Sequence, residues 1–332
     1  MYTRNIFQRS THIRSSFRFP PHPITRLLST PSPSTLSSSS TTTSPSTLSS
    51  SNTTTTSTTP PYYRKLTNKE ILAYHTNGYL TINNIILPHE LSLAQKIFNK
   101  FMNKELAVEG NDYGIHTPGL VNVTAYTLYH PLETLEFFYE LQLRCYSIAK
   151  QLYSQPPLLA LDYVQLLRKL PNHPTAIFPP HQDFTYWPKS LSKQFDMRTA
   201  TISVAINKAN QENGCLWVLP ESHVSQLEYK GSGRDTLQSS RTQGGGVIQQ
   251  HLDPKDINKR VFLPLEAGDI TIHDAFILHG SEGNQHLQNT RDTAIFAYRA
   301  PSMIAFERQI GFRHSYNDKD EVLKQIRETY FP

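Results

Sequence analysis

Thr199-Ala200-Thr201-Ile202-Ser203-Val204-Ala205-Ile206 alternates apolar and small polar side chains. Successive side chains of a strand point to opposite faces, so Ala200, Ile202, Val204 and Ile206 are expected inward and Thr199, Thr201 and Ser203 outward. Shorter strand-like runs surround it: Leu161–Leu167 before, then Cys215–Leu219, Arg260–Leu263, Asp269–His273 and Thr293–Tyr298, split by Pro, Gly and Asn turns. The earlier part differs. Thr67 and Glu70 have the capping-box spacing that opens a helix, Gly78 is its stop signal, and Tyr79–Leu87 reads as a strand. Pro88 starts a second helix with Leu91, Ala94, Ile97, Phe98 and Phe101 on one face, and a third runs from Leu132 to Tyr153. Helices first, then many short strands without strand–helix alternation, argue for a mainly β chain: an antiparallel double sheet with flanking α-helices outside it.

Of the 32 Lys and Arg residues eight precede Glu70, the first acid, so the remainder carries 24 bases against 27 acids, a balance of −3. The formal charge of +5 therefore comes from the leader and is no argument for nucleic acid, and the body has no basic run or finger spacing. No apolar stretch reaches the ~20 residues of a membrane span. Two cysteines, Cys145 and Cys215, cannot build a disulfide framework, which points to a reducing, intracellular setting. Residues 1–28 set Arg4, Arg9, Arg14, Arg18 and Arg26 among Ile6, Phe7, Ile13, Phe17, Leu27 and Leu28, the acid-free make-up of a mitochondrial or plastid transit peptide, with a cut before Ser29 suited to Arg26-Leu27-Leu28. Residues 29–62 are dominated by Ser and Thr and are expected to be a disordered spacer, leaving 63–332 as the folded domain. Mitochondrial import is the expectation; peroxisome or cytoplasm is the alternative, and the Tyr330-Phe331-Pro332 terminus carries no Ser-Lys-Leu-like signal.

The chemistry concentrates in His181-Gln182-Asp183, preceded by Pro179-Pro180 and followed by Phe184, Thr185, Tyr186 and Trp187. On extended chain residues i and i+2 face the same way, so an imidazole and a carboxylate converge. Gly268-Asp269-Ile270-Thr271-Ile272-His273 leads on to Leu278-His279-Gly280-Ser281 and then Arg291. Two neutral imidazoles and one carboxylate make the facial triad of non-haem Fe(II) oxygenases, which leaves open positions on the metal. Arg suits a dicarboxylate because its planar fork matches a carboxylate with two hydrogen bonds. His273, beside Asp274, competes with His279 as distal ligand; Arg299, eight positions beyond Arg291, competes as anion anchor. His223 reads as a turn residue, and Phe184, Tyr186 and Trp187 as pocket lining or core.

These residues resemble the phytanoyl-CoA dioxygenase family of Fe(II)- and 2-oxoglutarate-dependent oxygenases, from Leu66 to Pro301. The resemblance rests on His181/Asp183, Asn213-Gly214-Cys215-Leu216, Leu219-Pro220-Glu221-Ser222-His223, Ala267-Gly268-Asp269, His279-Gly280-Ser281 and Arg291. It implies a double-stranded β-helix (a cupin-like jelly roll), Fe(II) on His181, Asp183 and His279, and 2-oxoglutarate held by Arg291 with Ser281 assisting. It further implies that dioxygen and 2-oxoglutarate are consumed to hydroxylate an unactivated C–H of a small-molecule substrate, the His-Gln-Asp-x-x-Tyr-x-Pro run being nearest to members acting on branched-chain acyl-CoA. Glu221 stands where the family usually has Gly, and the Gly283–Thr290 loop is long for the family. The alternative class is a non-catalytic jelly-roll binding protein; a metal-dependent isomerase or hydrolase on the same barrel is a third. Oligomeric state is not legible in the sequence.

Overall fold

Thr67 caps the first helix as its spacing requires, its hydroxyl accepting from Glu70 N–H while the Glu70 carboxylate accepts from Thr67 N–H, and Gly78 ends the helix in the left-handed conformation at φ 83°. In the computed structural model the described residues are 64–105, 112–124, 132–154, 159–188, 195–224 and 254–311. The expected transit peptide and spacer, residues 1–62, lie outside them. In chain order the elements are α1 (Asn68–Asn77), β1 (Tyr79–Ile82), a 3-10 turn (Pro88–Glu90), α2 (Leu91–Met102), β2 (Asp112–Thr117), β3 (Leu120–Thr124), α3 (Leu132–Ala149) and β4 (Ala160–Lys169). They continue with β5 (Phe178–His181), a 3-10 turn (Asp183–Tyr186), β6 (Thr199–Ala205), β7 (Leu216–Val218), α4 (Pro254–Ile257), β8 (Val261–Phe262), β9 (Ile270–His273), β10 (His279–Ser281), β11 (Arg291–Arg299) and α5 (Pro301–Gln309).

The strands form two antiparallel sheets, β1-β9-β6-β11-β4-β3-β2 and β5-β10-β7-β8, a double-stranded β-helix as the resemblance implied. The apolar face of the large sheet takes the helices: Ile202 and Val204 of β6, Ile270 and Ile272 of β9 and Phe296 and Tyr298 of β11 pack with Ile97, Phe98 and Phe101 of α2 and Leu141 and Ile148 of α3 in one core. Burial of this kind contributes about 25 cal/mol per Å² of apolar surface and is the main force holding helices to sheet.

Three expectations are corrected. Every residue of β6 is buried, so Thr199, Thr201 and Ser203 face the interior between the two sheets and not solvent. Period-2 alternation identifies two faces but cannot say that the polar one is wet. β1 stops at Ile82 and does not run to Leu87, because Asn84 takes φ 60° and the amides of Ile85 and Ile86 turn to the carbonyl of Gly268. Finally, α3 ends at Ala149, short of Tyr153, whose hydroxyl donates to Thr199 O at 2.7 Å.

The turn carrying Glu221 locks α1 to the segment before β10. Glu221 N–H donates to Asn77 O at 3.0 Å, and the Ser222 hydroxyl accepts from Leu278 N–H at 2.8 Å. Glu221 itself lies at φ 64°, which explains why glycine is usual at this place: a Cβ in the left-handed region crowds the following carbonyl. The Glu221 side chain is exposed, so its loss removes no packing. Glu221→Gly is expected to stabilise the protein by about 1 kcal/mol net of the greater chain entropy of glycine. A urea unfolding midpoint equal to or below that of the parent protein would contradict this.

A candidate metal and carboxylate site between the sheets

Antiparallel pairing of β10 with β5 puts His279 directly opposite His181, and the two imidazole centroids lie 4.2 Å apart. Gln182 is extended (φ −118°, ψ 132°), so the chain leaving β5 still has strand geometry when it reaches Asp183, the first residue of the 3-10 turn. That is why His181 and Asp183 point the same way. The intervening Gln182 is buried and its side-chain amide donates to Phe276 O. Ligand atoms of His181, Asp183 and His279 all lie within 4.8 Å of one another.

The tautomers follow from the backbone. His181 Nδ1 is 2.8 Å from Pro179 O, and His279 Nδ1 is 3.0 Å from Ile277 O. A carbonyl can only accept, so each Nδ1 carries the proton and each Nε2 of the neutral ring presents a bare lone pair. Those Nε2 atoms are 3.7 Å and 3.5 Å from Asp183 Oδ1. On its other oxygen Asp183 accepts from the Thr201 hydroxyl at 3.0 Å and faces His273 Nε2 at 3.4 Å. Burial pushes the Asp183 carboxyl upward, but the attraction that the protonated forms of His279, His273 and His181 would exert outweighs it and sets the group well below the usual carboxylate range. Burial depresses His181, with His273 adding to the effect, and depresses His279 further, where His181 and His273 add to it. The donor set at neutral pH is thus two neutral imidazoles and one anion, which fits a divalent transition metal.

Arg291 and Ser281 line the same interior. Arg291 is 5% exposed, its Nε has no hydrogen-bond partner among the described residues, and burial lowers its guanidinium to about 10. Directly opposite it on β4 stands Lys169, fully buried, whose Nζ donates to Ser281 Oγ at 2.7 Å. Burial first and Arg291 second depress the Lys169 ammonium well below its ordinary value. Arg299 is differently placed: its two terminal nitrogens bind both oxygens of Glu307 at 2.7 Å, Asp162 lies 2.9 Å away, and the guanidinium sits 4.7 Å over the Trp187 ring. Two acids already occupy that fork.

Of the aromatic residues after Asp183, Trp187 is core with Ala275, Ala300 and Met303, whereas Phe184 stacks on Phe276 and half-buried Tyr186 sits edge-on to His181 at 5.8 Å. His223 is a turn residue, its Nε2 3.0 Å from His75 O. Sequence reasoning missed Lys169 and Thr201. Lys169 has the inward parity of Tyr163, Gln165 and Leu167 on β4, but a lysine at a strand end reads as a solvated terminus unless the pairing partner is known. The signal for Thr201 was present, since it lies in the middle of the polar face of β6.

Buried neutral imidazoles make acid stability a direct readout. With folded values below the unfolded one of about 6.5, the unfolded chain binds more protons as pH falls past that point. Stability of the metal-free protein is therefore expected to decline from about pH 6.5 downward, and less steeply in His279→Asn. Urea midpoints with the same pH slope in both proteins would show that His279 is not held neutral by the fold.

Known proteins resemble this chain in sequence and in fold. The model of a protein family described as phytanoyl-CoA dioxygenase matches residues 74–292. Bovine peroxisomal phytanoyl-CoA dioxygenase is 25% identical over 227 residues, covering 64% of this chain and 62% of that protein, so the chain spans less than two thirds of that relative's length. Ectoine dioxygenase of Streptomyces anulatus is 24% identical over 221 residues, covering 65% and 72%. Among solved structures, EvdO2 from Micromonospora carbonacea var. aurantiaca superposes with a TM-score of 0.53 at 16% identity, over 73% of this chain and 94% of that one. EctD from S. alaskensis in its apoform gives 0.52 at 17% identity, over 74% and 83%, and these two establish likeness of fold.

Proposed function

The chain belongs to the phytanoyl-CoA dioxygenase family, and on that premise we propose that it is an Fe(II)- and 2-oxoglutarate-dependent dioxygenase that hydroxylates an unactivated C–H of a small organic substrate. The observation carrying this reading is the convergence of His181, Asp183 and His279 at one point between the sheets. Iron, 2-oxoglutarate and dioxygen, when bound, supply the oxidation that amino-acid side chains cannot perform. The chain supplies orientation. His181 and His279 offer Nε2 because their Nδ1 protons are fixed on carbonyls, and Asp183 offers Oδ1 while Thr201 and His273 face the other oxygen. Arg291 is the anchor for the far carboxylate of 2-oxoglutarate, with Ser281 assisting, since Arg299 is engaged by Glu307 and Asp162.

The finer proposal for substrate is a branched-chain acyl-CoA, supported by the name of the bovine relative and by the His181–Pro188 run; the S. anulatus relative, named for ectoine, marks other small molecules as the competing class. A non-catalytic jelly roll has no evident use for a complete triad beside a buried guanidine nitrogen that has no hydrogen-bond partner among the described residues. For location the Arg-rich leader supports import, with the peroxisome as alternative because the bovine relative is peroxisomal by name. Fusing residues 1–60 to a fluorescent reporter separates the compartments.

Incubation with Fe(II) and carboxyl-labelled 2-oxoglutarate is expected to release labelled CO2, faster with the right acyl-CoA present. Asp183→Ala removes the anionic ligand and is expected to abolish both iron retention and CO2 release; iron bound as tightly by that variant as by the parent would refute the triad. Arg291→Ala leaves a carboxylate unpaired at a cost of about 2–5 kcal/mol, roughly thirty- to several-thousand-fold in 2-oxoglutarate affinity, with iron binding intact.

A further inference from the structure

Lys169 and Arg291 are an expensive pair. They are directly opposite on β4 and β11, both buried, and like charges facing each other across a ladder destabilise it. A buried cation needs an anion or a full set of hydrogen bonds. Among the described residues the hydrogen bonds of Lys169 go to neutral oxygens: Ser281 Oγ at 2.7 Å, Ser281 O at 3.4 Å and the carbonyl of Glu282. The Glu282 carboxylate is turned away onto Arg260 at 2.7 Å, and Asp292, next to Arg291 in sequence, is held on the outer face by Arg168. No carboxylate among the described residues is hydrogen-bonded to either cation. Two basic side chains sharing a wall, with no carboxylate hydrogen-bonded to either among the described residues, are matched to a bound dianion's carboxylate, which would also favour the charged form of the buried Lys169.

The contact to Ser281 gives the arrangement a direction. Because Ser281 Oγ accepts from Lys169, its own proton must be donated elsewhere, so the ammonium orients the hydroxyl as a donor. We propose that Lys169 is a positioning residue for the far carboxylate of 2-oxoglutarate, orienting the Ser281 hydroxyl as a donor toward it and adding a second positive charge to that of Arg291. The inference rests on the dioxygenase reading and extends it to a residue that touches neither the metal ligands nor, directly, the cosubstrate. Lys169 then sets preference for a 2-oxo acid with a second carboxylate over one without it.

The test compares 2-oxoglutarate with 2-oxopentanoate, which has the same 2-oxo acid head and no second carboxylate, by equilibrium binding to the full chain loaded with Fe(II) under anaerobic conditions. Lys169→Met is expected to weaken 2-oxoglutarate by about tenfold or more while 2-oxopentanoate changes by less than about twofold, and its effect should be less than additive with Ser281→Ala. Lys169→Gln keeps a donor for Ser281 without the charge and reads the same contrast should the methionine variant not fold. Unchanged 2-oxoglutarate affinity, or equal losses for both acids, would overturn the proposal and leave Lys169 as a fastener between β4 and the turn after β10. A parent protein that binds iron but neither acid would overturn the dioxygenase reading itself.

Discussion

The pairing of β5 with β10 is the contact on which the rest of the interior depends. It is short, three or four residues a side, and it sets two buried imidazoles side by side, tilted 53° to each other. Two buried rings at 4.2 Å cannot both be charged without severe repulsion, so the fold holds them neutral by burial and fixes their protons on carbonyls. Asp183 then carries the only formal charge of the triad. Gly280 keeps the ladder close at this point: a Cβ there would lie 2.6 Å from the Trp217 ring and 2.8 Å from Phe178 O.

The large sheet answers with two unlike faces. Its helix side is packed hydrocarbon, while its inner side carries Thr199, Thr201, His273, Lys169 and Arg291, all buried. Such a wall is destabilising by itself, because polar groups lose water and gain few partners. Its cost is offset by the outer core, which lets the interior be shaped by chemistry and not by packing.

How much of this the sequence discloses depends on how local the cause is. The capping box of α1, the apolar stripe of α2 and the spacing of His181 and Asp183 are set within a few residues, and all were legible. Strands β5 and β10 were not read as strands, because Phe-Pro-Pro-His and His-Gly-Ser are too short and too rich in Pro, Gly and Ser to show a strand preference, and partners hold them extended. The direction of the β6 hydroxyls failed for a related reason: a polar residue facing a polar interior follows the same pattern as one facing water. Lys169 was invisible until β4 and β11 were in register. The resemblance to a family named the triad, yet it could not say that a lysine stands opposite Arg291.

At the far end of β11, Arg299 and Glu307 close a buried two-pronged ion pair over Trp187, tying α5 to the last residue of the strand. A helix fastened only by apolar contacts can fray alone, whereas opening this one would pull the Glu307 carboxylate off the buried guanidinium that Asp162 also faces. Its amides should therefore exchange with solvent in step with those of β11, as one cooperative unit, although in sequence the helix lies outside the barrel.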